Sequence, residues 1–113
     1  MSTPADRLAA IHDAYSKAYA RRLQDWADAQ SDGQAQAISE NLEELEDNYL
    51  KAAKQALDAN GEAVEHAYDA AKQAQNDVDR AYQAAKGIAD KIKLVSTCVV
   101  SVGDLVTTAA GAF

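Results

Sequence analysis

Two histidines, one cysteine and eighteen acids are the side chains of this 113-residue chain from which catalytic or metal chemistry would have to be built. Glu62 and His66 stand four apart, which is one face of a helix, and Glu65 adjoins them. A carboxylate-bridged metal centre in a helical bundle takes Glu-x-x-His from two helices and an acid from each of two more. Neither His12 nor His66 has a Glu three residues before it, so no metal and no other cofactor is expected. Cys98 lies in a valine-rich run, where a thiol behaves as a small buried hydrophobe and a poor nucleophile. A single cysteine also excludes an internal disulfide framework. The five glycines, at 33, 61, 87, 103 and 111, are scattered and form no phosphate-cradling loop. A non-enzymatic protein is expected.

The densest charge is the acidic run Glu40, Glu43, Glu44, Glu46 and Asp47. At helical spacing Glu40, Glu43, Glu44 and Asp47 share one face, either simply solvated or docked on a basic partner. The formal net charge of −7 argues against nucleic acid as a partner, because phosphate binding needs a basic surface. Charge is unevenly spread: residues 34–60 hold six acids and two bases, residues 61–93 six acids and five bases, and residues 94–113 only Asp104.

Helices must position these groups. Thr3-Pro4-Ala5-Asp6 combines a Thr cap, Pro at the first helical position and an acid at the third, a capping-box pattern. Leu8, Ile11, Tyr15, Ala18 or Tyr19, Leu23 and Trp26 follow at helical spacing, predicting a helix over about 4–30, with Ser31-Asp32-Gly33 as the loop. Trp26 either ends the core stripe of that helix or anchors an interface. Ile38, Leu42, Leu45, Tyr49, Ala53 and Ala56 or Leu57 predict a second helix over about 34–59, closed by Gly61 as a left-handed cap. Val64, Tyr68, Ala71, Gln75, Val78, Tyr82, Ala85, Ala89 and Ile92 step by four and three, a heptad seam over about 62–93. Within it Ala67-Tyr68-Asp69-Ala70-Ala71-Lys72 returns as Ala81-Tyr82-Gln83-Ala84-Ala85-Lys86, two heptads later. Ala67, Ala74 and Ala81 flank the seam and let another backbone approach closely.

Residues 94–113 differ: twelve are apolar, five are Ser or Thr, two are Gly and one is Asp. Twenty residues suffice to cross a bilayer. Each Leu, Val or Phe favours insertion by roughly 0.3–0.6 kcal/mol, but a central Asp opposes it by about 2.5–3.5 kcal/mol. A lone span is therefore not expected, and insertion would need several copies; otherwise the tail folds back as a buried helix or short hairpin against the bundle, the favoured reading, or forms an adhesive surface filled by neighbouring copies. The fold class is all-α: an antiparallel helical hairpin or three-helix bundle over 1–93 with heptad-like, alanine-rich packing, plus an apolar C-terminal segment over 94–113, expected to be helical.

Hydrophobic residues are 48% of the chain, yet many are alanine, which buries little area. A core of that kind gains from a partner, so a homo-oligomer or a helical protein partner is expected. The candidate interface is Tyr68, Ala71, Val78, Tyr82, Ala85, Ile92, Val95, Val99, Val102, Leu105, Val106 and Phe113. Three functions follow: a self-assembling subunit, a membrane-active protein inserting its tail, or an acidic adaptor, chaperone or inhibitor of a basic partner. In size and pattern the chain resembles small helical-hairpin substrates of specialised bacterial secretion systems, although Trp26-Ala27-Asp28 is not the Trp-x-Gly turn of one such family. No basic-then-apolar leader begins the chain, so cytoplasmic location or specialised export is expected.

Overall fold

The computed structural model describes residues 1–111, and Phe113 of the candidate interface lies outside them. The chain forms four helices: α1 (Pro4–Asp28), α2 (Asp32–Ala53), α3 (Glu62–Gln83) and α4 (Ile88–Ala109). They pack as a bundle of 42 × 24 × 21 Å.

Local chemistry sets the first two starts. Thr3 Oγ1 accepts from the Asp6 amide at 3.1 Å, and Asp6 Oδ2 accepts from the Thr3 amide at 2.9 Å, a complete capping box. The loop predicted at 31–33 lies two residues earlier, at 29–31. Ser31 caps α2 by accepting from the Gln34 amide at 3.1 Å, so Asp32 and Gly33 already belong to the first turn.

The third run breaks earlier than its heptads suggest. Ala85 adopts φ +52°, and the Lys86 and Ala85 amides donate to the carbonyls of Ala81 and Tyr82 at 2.9 and 3.2 Å. This is a Schellman cap with alanine in the position that normally holds glycine. The apolar helix therefore begins at Ile88 rather than Leu94, and takes Ala89 and Ile92 from the third run. A left-handed alanine is strained by its Cβ. Ala85→Gly should raise the urea midpoint by the equivalent of roughly 0.5–1 kcal/mol, the strain relieved less the added unfolded-chain entropy; a lower midpoint would show that the cap does not carry this strain.

Two contacts give the first hairpin its register: the Tyr15 hydroxyl donates to Glu46 at 3.1 Å and Trp26 Nε1 donates to Ser39 Oγ at 3.1 Å, so α1 and α2 are antiparallel. The α3–α4 hairpin is likewise antiparallel and has the most extensive contact in the bundle. The hairpins lie side by side with α1 parallel to α3, as Arg7–Glu65, Arg21–Asp79 and Asp25–Tyr82 show. Asn41 bonds Ser96 at 3.0 Å and Asn48 lies beside Gly103, so α2 runs parallel to α4. α2 and α3 are diagonal across the bundle, with no close backbone approach, so their connection, residues 54–61, crosses the bundle end.

That crossing explains why α2 stops at Ala53 rather than near residue 59. Leu57 is turned inward at φ +52° and is 2% exposed. Arg7 Nη1 binds the carbonyls of Leu57 and Ala59 at 2.7 and 2.8 Å, and the Ala59 amide donates to Ala109. Tertiary capture overrides the helical preference of Ala56-Leu57-Asp58-Ala59. Gly61, expected as the cap of the second helix, instead precedes α3 at φ +124°.

The core is centred on α4. Cys98, Val99, Val102, Leu105 and Val106 face Ile11, Ala14, Leu45, Ala71 and Val78. Ala67, Ala74 and Ala81 are all buried on α3, which permits its close approach to neighbouring helices.

Candidate functional site

Of the candidate interface residues, Ala71, Val78, Val99, Val102, Leu105 and Val106 are buried inside this single chain. Tyr68, Tyr82, Ile92 and Val95 are half-buried, with Tyr68, Tyr82 and Val95 packed on the same core. Ala85 is an exposed turn residue. The seam and the apolar side of the last helix thus meet within one molecule. Folding α4 against α3 satisfies both surfaces.

A different face is left open. At the end of α1 the stripe turns outward: Tyr19 is 46% exposed, Leu23 65% and Trp26 37%. Trp26 does not end the core stripe; Asp25 holds the inward position instead. Arg22 covers the Tyr19 ring at 3.7 Å, and Tyr15 stacks on Tyr49 at 5.8 Å further along the same seam. Beside this stripe, Glu40, Glu43, Glu44 and Asp47 are all exposed on the outer side of α2. Among the described residues no salt bridge includes any residue of α2, although that helix carries six acids and one base. The Tyr15–Glu46 and Trp26–Ser39 contacts set Glu43 level with Tyr19 and Leu23.

No family model, curated protein or solved structure matches the chain.

The inward Asp25 belongs to a polar column between the hairpins. Tyr82 donates to Asp25 Oδ2 at 2.6 Å, while Arg21 and Lys91 sit over the Tyr82 ring at 4.1 and 4.6 Å. One turn away, Asp79 accepts from Lys17, Gln75 and Arg21 at 2.8, 2.9 and 3.1 Å. Burial works against the Asp79 carboxylate, but these donors outweigh it and hold its pKa below the ordinary value. Gln75 passes the column inward by accepting from the Cys98 thiol at 3.6 Å. Burial, then the Asp79 and Asp13 charges, push that thiol up to about 12, so it stays protonated at neutral pH. Core space beside Cys98 and Gln75 is about 10 Å³, too little for a ligand.

Asp25 is imperfectly served. Its Oδ1 is buried without a hydrogen-bond partner, and desolvation raises its pKa despite the Tyr82 bond and the Lys91 and Arg21 charges. Tyr82 is raised as well, first by burial and then by the bond to Asp25. A carboxyl whose folded pKa is raised favours the native state fully below its unfolded pKa, near 4, and loses that contribution as pH rises through the folded value. Asp25→Asn keeps an acceptor for Tyr82 and removes the charge. Stability at pH 7 should rise by on the order of 1 kcal/mol, with the gap from the parent protein narrowing as pH falls toward 4. Urea midpoints across pH 4–7 check this, and a gap that widened on acidification would contradict it.

The Glu62–His66 pair forms no centre. Glu65 is taken by Ser2 and Arg7, whose bonds hold its carboxyl below its usual pKa, the Ser2 backbone amide contributing most. His66 is exposed, and no group of three metal-ligating side chains occurs among the described residues. Sequence reasoning missed Arg7 and Asp25. Both lie on the helical stripe of Ile11, Ala14 and Ala18, and a charge on an apolar stripe was the available signal.

Proposed function

We propose that the chain is a non-enzymatic docking protein: a preformed four-helix bundle that offers the outer face of α1 and α2 to a protein partner. The observation carrying this reading is the exposed stripe Tyr19, Leu23 and Trp26, on successive turns beside acids that form no salt bridge among the described residues. Large apolar side chains exposed together on one helix face mark interaction surfaces more often than isolated ones do. The expected self-assembly through the heptad seam and tail loses support at Ala71, Val78, Val99, Val102, Leu105 and Val106, which are buried within the chain.

A stability measurement tests the reading before any partner is known. Leu23→Ser should change unfolding free energy by no more than about 0.5 kcal/mol, as surface substitutions do. A loss above roughly 2 kcal/mol would make the stripe part of the fold instead.

One observation favours a second reading. The 22-residue α4 is long and apolar enough to cross a membrane, so the bundle would be a soluble store for an inserting helix. Flotation of the intact chain with lipid vesicles in the absence of denaturant would favour that reading; recovery wholly in the soluble fraction would remove it.

A further inference from the structure

We propose that the occupant of the α1–α2 face is a basic amphipathic helix of a partner protein, an inference that rests on the docking reading above. The apolar half of the argument is geometric. Tyr19, Leu23 and Trp26 follow i, i+4, i+7 spacing, so they form a ridge about 10 Å long at 1.5 Å per residue. A ridge of two helical turns beside a second helix fits an incoming helix whose own anchors repeat every three or four residues. Trp and Tyr are residue types that anchor such contacts.

Charge decides among occupants. Glu40, Glu43, Glu44 and Asp47 stand three and four residues apart, so they repel along α2, and among the described residues no cation forms a salt bridge with them. A basic flank relieves that repulsion at the moment of docking. A second copy docked through the same face about a twofold axis would bring the two acidic rows together and increase it. An anionic lipid surface or a nucleic acid has the wrong sign for the same reason. Arg22, the cation nearest the ridge, is engaged over Tyr19 at 3.7 Å and donates to the Tyr19 carbonyl at 2.7 Å.

Trp26 is the sole tryptophan and reports directly on its own surface. The intact protein is titrated with two 18-residue peptides of identical leucine spacing, one flanked by lysines and the other by glutamates, following Trp26 emission and binding heat. The lysine peptide should bind with a blue shift, weakening as salt is raised. Leu23→Ser should weaken it about tenfold without altering thermal stability, and the joint change Glu40→Gln, Glu43→Gln, Glu44→Gln, Asp47→Asn should weaken it about tenfold as well. Neutralising Glu62, Asp69, Asp90 and Asp104, which are exposed elsewhere, should cost less than about threefold. An equal loss in that control would reduce the effect to unspecific charge attraction and overturn the inference. Equal binding of the glutamate peptide would leave the docking face standing and overturn only the basic partner. No response of Trp26 to either peptide would overturn both, and a concentration-dependent dimer that buries Trp26 would make the occupant a second copy.

Discussion

Replacing Arg7 by methionine should cost about 3–4 kcal/mol of folding stability, a large fraction of the roughly 5–15 kcal/mol that a domain has to lose. The side chain is 1% exposed, and all five guanidinium N–H groups are used. Nε donates to Ser2 Oγ, Nη1 to the Leu57 and Ala59 carbonyls, and Nη2 to the Ser2 carbonyl and Glu65. Methionine would fill most of the space left by the aliphatic stem. The two carbonyls of the diagonal crossing would then face an apolar group, and each buried acceptor left unpaired costs about 1–3 kcal/mol. Glu65 would lose its cation. Arg7→Lys should fall between, since an ammonium cannot serve five acceptors in the planar fork that the guanidinium provides. Urea unfolding reads the stability, and hydrogen exchange at the Ala59 amide, which bonds Ala109, reads the crossing itself. A loss below about 1 kcal/mol would mean that the crossing is held by Leu57 alone.

The second large effect contrasts two residues of α4. Leu105→Ala should destabilise by about 3 kcal/mol, and Val100→Ala by less than about 0.5 kcal/mol. Leu105 is 0% exposed and Val100 is 64% exposed, although they are both apolar and lie five residues apart on one helix. Removing the Leu105 methyl groups loses their transfer free energy and leaves a cavity that neighbouring core side chains fill only in part. Val100 contacts mostly water, so its truncation removes little. Chemical unfolding followed by circular dichroism separates the two. Equal costs would mean that α4 does not pack as described, and would favour the inserting-helix reading over a docking protein with a settled core.

Much of the local structure was legible in the residues themselves. Thr3-Pro4-Ala5-Asp6 starts a helix because its oxygens satisfy amides that no other group of the helix can reach. Three long runs at helical period, free of internal proline, predict an all-α chain, since burying an apolar stripe every 3.6 residues has few other solutions. The apolar character of residues 94–109 likewise marked a helix unlike the others. The acidic face of α2 is exposed as its spacing implied.

Other features depended on distant partners. Local signals ran a heptad through residues 84–87, where a left-handed alanine breaks the helix because α4 must turn back onto α3. Helical preference continued past Ala53, but Arg7, fifty residues from Leu57, binds the chain out of the helix. Periodicity placed Trp26 in the core and left Asp25 outside; bonding to Tyr82 across the bundle selected the reverse. Above all, the sequence alone determined that this chain is helical, acidic and sticky along several stripes. Which stripes meet within one molecule, and that the one on α1 stays exposed, was decided only by the packing of four helices, because an apolar face records that it must be buried and not by what.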